Sequence, residues 1–384
     1  MLEQAFEWFL TTHSQVLRRG DKRGFEILML MSVAHVFGLY TPKELADYLD
    51  IGFQSFYARL KSLSLYSVQK LMLGFMVKQA AQKLNEVLQK SDATQSRAKI
   101  SIHGDDSVLE RVGKQIRCTY SWYSGRFKQV MNGNDLLGLV LTLNGEILPL
   151  HLMFASKQGR ANTTKPELLM KMMTELKELF AQEGIDITAF PLTLDSWFAS
   201  EELKQQLWSL GFENVVMAGK SSYVYELEGE KNKAKDWKSQ IDLQEPQWGV
   251  DVPHFRAKAQ SPTFGKVVLF FFAKSSTRVF YLIDFSRKPG RSAEIWNIWQ
   301  EHHRIEQFWR LLKSVFRLKT IQLRDDGLYA GLLIKVIAYL MVGRLLSQKA
   351  FKNLSVVQIL RKIRRECNLD DFIEQHFHGL LGGT

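Results

Sequence analysis

Three places in the chain set carboxylates where metal-assisted chemistry would need them. Asp105 and Asp106 close the apolar run ISIHGDDS, Asp195 closes FPLTLDS, and Glu306 lies within WQEHHRIEQFWRLLKSVF. Carboxylate oxygens are hard ligands suited to Mg²⁺, and two such ions about 3.5–4 Å apart support in-line displacement at phosphorus. Three carboxylates gathered without a cation repel one another and their pKa values rise, so a fold that gathers them is expected to hold one. The plainer readings are a strand-end Asx turn for Asp105 or Asp106 and a helix N-cap for Asp195. His302 and His303 do not make a zinc site: adjacent helical residues point about 100° apart, and no cysteine or third histidine lies nearby.

The segment that carries Glu306 has a helical period. Ile305, Phe308, Trp309, Leu312 and Phe316 fall on one apolar stripe, the face expected to be buried. Trp299, His302, Glu306, Arg310 and Lys313 fall on a flank beside it, at i, i+3, i+7, i+11 and i+14. A carboxylate, two cations, an imidazole and an indole on one flank suit a polyanion. The plainer reading is a solvated side with an ordinary Glu306–Arg310 pair.

Charge supports an anionic partner. The net charge is +11, and the stretch from His254 to Lys319 holds 13 Lys/Arg against 4 Asp/Glu. Cys118 and Cys367 supply neither a disulfide framework nor a metal cluster, which fits a reducing compartment. No secretory signal opens the chain, and the longest apolar stretch, Gly331 to Gly343, is too short to span a bilayer and contains Lys335. A cytoplasmic protein without a membrane role, nucleoid-associated if it binds DNA, is expected.

Residues 1–95 read as helical, with a buried segment from Phe25 to Tyr40. In TPKELADYLDIGFQSFYARLKSL, Thr41, Pro42 and Glu44 form a capping box with Pro at the first helical position. Leu45, Ala46 and Leu49 point inward, and Gly52 is free to take positive φ in the turn. The next helix keeps Phe56 and Leu60 inside and leaves Gln54, Ser55, Tyr57, Arg59 and Lys61 outside. This is a helix-turn-helix pattern, with Tyr57, Arg59 and Lys61 as DNA contacts; a packing hairpin is the plainer reading. The polar stretch KSDATQSRAK then marks a boundary.

From Lys99 the period becomes that of strands. ISIHGDDS, Leu136 to Leu143 and Ile147 to Phe154 are three strands, the last two joined by the hairpin turn Asn144-Gly145. A helix from Pro166 to Gln182, a strand from Phe190 to Leu194, a helix from Glu201 to Leu210 and a strand from Asn214 to Met217 follow. This is the element order of the α/β ribonuclease H-like fold with its mixed sheet, in which the first and fourth strands lie side by side. That neighbourhood would bring Asp105/Asp106 to Asp195, a step that rests on fold analogy. The expected organisation is a helical DNA-binding domain over 1–95 and a catalytic domain over 96–217. A β-rich insertion over 218–290 interrupts that domain, which ends with the Glu306 helix over 291–345; a basic helical C-terminal region fills 346–384.

These residues in this order resemble bacterial insertion-sequence DDE transposases of the insertion-sequence-four-like group. The group's last acidic motif is Tyr-x2-Arg-x3-Glu-x6-Lys, and the resemblance covers about residues 99–345. It implies a first Asp in GDDS, the second at Asp195, the Glu at Glu306 and the motif's Lys at Lys313. Trp299 and His302 stand where the group has Tyr and Arg, positions that help hold the DNA end. Asp106 is preferred over Asp105 because it precedes Ser107, as in the group, and shares strand parity with Ile100, Ile102 and Gly104. The resemblance implies two Mg²⁺ ions with Mn²⁺ as a substitute, Lys313 and Arg310 on backbone phosphate, and double-stranded DNA as partner. The activity implied is cleavage at terminal inverted repeats and joining of the 3′-hydroxyls to target DNA, by a homodimer in the DNA complex. A nuclease of the same fold that cuts without joining, and a domesticated DNA-binding protein without catalysis, are the other two readings.

Overall fold

The computed structural model describes residues 2–16, 22–91, 99–111, 116–124, 127–157, 163–275, 278–320, 323–324 and 327–381. The first third holds helices α1 (Glu3–Val16), α2 (Lys22–Phe37), α3 (Pro42–Tyr48), α4 (Phe53–Ser62) and α5 (Leu65–Ser91). The middle holds β1 (Ile100–Glu110), β2 (Tyr120–Ser124), β3 (Gln129–Leu143), β4 (Glu146–Phe154), α6 (Lys165–Gln182), β5 (Leu192–Leu194), α7 (Glu201–Leu210) and β6 (Val215–Ala218). Next come β7 (Val224–Leu227), β8 (Glu230–Lys233), α8 (Ala234–Gln240), β9 (His254–Ser261), β10 (Gly265–Ser275) and β11 (Arg278–Asp284). Helices α9 (Ser292–Arg310), α10 (Gly327–Leu346), α11 (Val356–Glu366) and α12 (Leu369–Leu381) complete the chain. The expected boundary stretch falls mostly outside the described residues.

Two compact units divide the chain: Met1–Gln79, Val108–Asp135 and Phe308–Thr384 form one, Ala80–Ser107 and Leu136–Gln307 the other. In the first unit α2 and α10 are buried along almost their whole length. Helix α10 is long and apolar enough to cross a membrane, but 89% of its apolar window is buried inside the protein, as a core helix would be. Its Lys335 is satisfied there by His35 Nδ1 at 3.1 Å, the Tyr40 carbonyl at 2.9 Å and Thr320 Oγ1 at 3.1 Å. Burial lowers that ammonium's pKa to about 7.

The capping box at α3 forms as the sequence indicates: Glu44 N–H donates to Thr41 Oγ1 at 3.1 Å, and Thr41 N–H to Glu44 Oε2 at 2.9 Å. The turn between α3 and α4 differs in one respect. Asp50 takes the left-handed conformation at φ 51°, while Gly52 sits at φ −67° as the N-cap of α4. Aspartate tolerates that region because its short polar side chain can bond locally.

The sheet runs β2-β3-β1-β5-β6-β11-β10-β9-β7-β8, with β4 also paired to β3. Strands β1, β5 and β6 are parallel neighbours, while β3–β4 and β10–β11 are antiparallel hairpins. The order β4-β3-β1-β5-β6 is the ribonuclease H-like arrangement, and the first and fourth core strands do lie side by side. Asn144 and Gly145 both take positive φ (51° and 83°) in the β3–β4 turn, as a two-residue hairpin demands. The strands between β6 and α9 continue the core sheet, because β11 pairs directly with β6 through Asp284–Val216, Ile283–Met217 and Leu282–Ala218. Val216, Phe270, Phe272, Leu282, Ile295, Trp296 and Trp299 then pack into one apolar cluster that seats α9 on this sheet.

Candidate active site

Strand register decides which carboxylates meet. Ile102, His103 and Gly104 of β1 pair with Leu192, Thr193 and Leu194 of β5. Asp105 and Asp195 are each the next residue, so they stand level on adjacent parallel strands. Side chains alternate between faces along a strand, and hydrogen bonds and packing identify the two faces. His103 Nδ1 meets Thr193 Oγ1 at 2.6 Å, and the same oxygen meets His302 Nδ1 of α9 at 2.7 Å. The face of His103 and Thr193 is therefore the α9 face, and Asp105 and Asp195 follow them by two residues each. On the opposite face a Cβ at Gly104 would lie 2.6 Å from Leu194 and 3.9 Å from Leu169 of α6. Asp106 shares that face, and its Oδ2 is bonded to Lys165 Nζ of α6 at 2.8 Å.

Asp105 is half-buried, and its carboxyl pKa is raised well above the ordinary value by burial and then by the charges of Asp106, Asp195 and Glu306. Asp195 accepts from the Ser196 N–H at 2.6 Å. It is not the cap of α7, a role that Ser200 fills through the Leu203 N–H. Glu306 is 60% exposed, with His303 Nδ1 at 3.6 Å from its Oε1. Among the described residues, no three or more His, Cys, Asp or Glu side chains converge tightly enough to hold an ion. By donor type, however, the oxygen-only set of Asp105, Asp195 and Glu306 fits a hard divalent cation, whose charge would relieve the repulsion on Asp105.

The flank expected on α9 is divided. Ile305, Phe308, Trp309, Leu312 and Phe316 are buried as the stripe requires, but Trp299 and His302 are buried too, at 7% and 6% exposure. They lie six and three residues before Ile305 and simply continue its stripe. Their rings stack at 4.3 Å. A contact from either to DNA, as the spacing suggested, is not available in this packing. Burial lowers the His302 pKa to about 3, with the charge of His303 adding to the fall and Glu306 opposing it. Arg310 is exposed. Beyond it Leu311–Val315 is a π-helical turn, closed by Phe316 N–H on the Leu311 carbonyl at 3.0 Å. The wider turn breaks the i+14 spacing, and Lys313 Nζ points to the Val108 carbonyl at 3.4 Å. On α4, Tyr57 and Arg59 are half-buried, and the side chain of Lys61 lies outside the described residues.

Several residues near the carboxylates escape a motif-based reading. Trp197, two after Asp195, is 57% exposed, with Lys165 Nζ 5.7 Å and Lys220 Nζ 5.1 Å from its ring centre. Lys165 was marked by a capping box, Thr164 with Glu167, that starts α6 here. The polar residues His103 and Thr193 inside apolar strands, each two before an Asp, were the other available signal.

No family model matches the chain, and no curated protein does. Among solved structures it is similar to the piggyBac transposase in a cryo-EM synaptic complex with hairpin DNA, with a TM-score of 0.50 at 14% identity. The match covers 98% of this chain and 85% of that one. Likeness at this identity shows a shared fold, in keeping with the ribonuclease H-like strand order described above.

Proposed function

We propose that the chain is a DNA transposase that cuts at the terminal inverted repeats of a mobile element and joins the freed 3′-hydroxyls to target DNA. The observation that carries this reading is the level register of Asp105 and Asp195 on the sheet face covered by the Glu306 helix, within a fold similar to a transposase's. Asp105, Asp195 and Glu306 would hold Mg²⁺, or Mn²⁺ in its place, and two such ions supply activation of the attacking oxygen and stabilisation of the leaving one. Asp106 is then not a metal ligand but the partner of Lys165.

The remaining residues bind and orient. Lys165, Lys220 and the exposed Trp197 form a cationic and aromatic surface beside the carboxylates, suited to phosphate and to a base or sugar face. Arg310 and Lys313 would add phosphate contacts. The α3–α4 pair, with Arg59, Tyr57 and Lys61, would read the repeats as a helix-turn-helix. Two ends must be handled at once, so a homodimer on DNA is part of the proposal, as is a cytoplasmic, nucleoid-associated location.

One observation favours a second reading, a DNA-binding protein of this shape without catalysis: Glu306 is exposed and the described residues hold no preformed ligand cluster. Incubating the protein with Mg²⁺ or Mn²⁺, end-containing DNA and a supercoiled target separates the readings. Cleavage and joined product that Asp195→Asn removes supports the transposase. Cleavage without joining makes the protein a nuclease, and specific binding with neither makes it the non-catalytic protein.

A further inference from the structure

Beneath the carboxylates runs a chain of buried polar side chains that touches all three elements of the site. Ser101, His103, Thr142 and Thr193 are 0–3% exposed and His302 6%. His103 Nε2 meets Ser101 Oγ and Thr142 Oγ1, both at 3.0 Å, and His103 Nδ1 meets Thr193 Oγ1 at 2.6 Å. Thr193 Oγ1 then meets His302 Nδ1 at 2.7 Å. The sequence positions are telling. His103 lies two residues before Asp105, Thr193 two before Asp195, and His302 one helical turn before Glu306. Each carboxylate is therefore anchored one step away by a member of the same chain.

A threonine hydroxyl has one hydrogen, so at most one of the two imidazole Nδ1 atoms can accept from Thr193. At least one of the two histidines must carry its proton on Nδ1. Such a bridge admits few arrangements, and buried polar groups left without partners are costly. On its far side His302 is fixed by the ring of Trp299 at 4.3 Å, which belongs to the apolar cluster under α9. The helix cannot slide or rotate over β1 and β5 without breaking the Thr193 bonds.

We propose that Thr193 is a positioning residue: by holding His103 and His302 on one hydroxyl, it sets the spacing between the strands bearing Asp105 and Asp195 and the helix bearing Glu306. The inference rests on the metal-site reading given above. Groups behind metal ligands typically contribute about 10–100-fold to metal affinity; acting through the backbone, Thr193 should contribute about tenfold.

The test uses the full-length protein with Mn²⁺ as probe, its binding followed by electron paramagnetic resonance and its half-saturating concentration by cleavage of end DNA. Thr193→Val keeps the shape and removes the hydroxyl; Thr193→Ser keeps the hydroxyl. The expected result is Mn²⁺ affinity about tenfold weaker for T193V in both readouts, restored by T193S, with DNA binding unchanged. A purely structural role would lower the unfolding midpoint of T193V and leave its Mn²⁺ affinity at the parent's value, which would overturn the proposal. Should T193V fail to fold, His302→Phe keeps the stack on Trp299, removes Nδ1 and must show the same weakening. The metal-site reading itself fails on a different result: parent protein that binds Mn²⁺ no better than Asp195→Asn.

Discussion

Lys165 holds Asp106 at 2.8 Å on the α6 side of β1, and the next-door Asp105 faces the α9 side, level with Asp195. On the proposed reading the two adjacent aspartates have separate duties. Asp105→Asn should lower cleavage about a thousandfold, because a metal ligand contributes several kcal/mol to the transition state. Asp106→Asn should cost about 1–2 kcal/mol of stability through the lost ion pair and leave cleavage within about tenfold of the parent. Single-turnover cleavage and urea unfolding of both variants check this, and equal losses of cleavage would return Asp106 to the site.

Local signals carried well into the fold. Asn144-Gly145 makes its hairpin, Thr41 and Glu44 their capping box, and Ile305 to Phe316 their buried stripe. Which face of β1 the Glu306 helix covers was not legible for a physical reason. β1 is central and buried on both faces, so its apolar residues do not alternate and nothing local says which face a helix carrying Glu306 will cover. Parity did separate the two aspartates, and tertiary packing then assigned the faces. On α9 the apolar stripe reaches further than Ile305, because the aromatic Trp299 and neutral His302 extend it upstream. The π turn after Arg310 also has no sequence mark here.

Gly104 lies between His103 and Asp105 where β1 and β5 approach closely. An added Cβ would be 2.6 Å from Leu194 Cδ2 and 3.1 Å from Leu139 Cδ2. Gly104→Ala should therefore lower stability by about 1–3 kcal/mol through overpacking. The crowded atoms are leucine methyls, and a shift of Leu194 passed to its neighbour Asp195 should lower divalent-ion affinity more than DNA affinity. Thermal unfolding with and without Mn²⁺ measures both; a variant whose midpoint rises with Mn²⁺ as the parent's does would show that β5 absorbs the methyl without moving Asp195.

His302 gives the protein a directional response to acid. Its pKa falls from 6.5 to about 3 on folding, so between those values the unfolded chain holds a proton that the native site refuses. Stability must then rise with pH across that window and fall on acidification. Between pH 6.5 and 5 this one group should cost the native state about 2 kcal/mol. His103, also lowered well below 6.5 by burial and by His302, acts in the same direction, while His303 and Glu306 set opposing local charges. Urea unfolding from pH 5 to 7.5 should give a shallower slope for His302→Gln than for the parent. Arginine at this site would place a permanent charge in a buried position and should prevent stable folding.

The surface beside the carboxylates makes the last prediction. Trp197 is exposed, with the ammonium groups of Lys165 and Lys220 both near its ring, and Lys165 is already engaged with Asp106. Lys220 is therefore the cation better placed to take a DNA phosphate without disturbing the site. Lys220→Ala should weaken end binding uniformly across sequences and reduce the slope of log affinity against log salt by about 1. Trp197→Ala should weaken binding by about 1–3 kcal/mol where an unpaired base stacks on the ring, with the salt slope unchanged. Fluorescence anisotropy on paired and partly unpaired end DNA, from 50 to 200 mM salt, distinguishes the two roles. A salt slope lowered by Trp197→Ala as much as by Lys220→Ala would mean the ring only props the lysines, and stacking would have no part in holding the end.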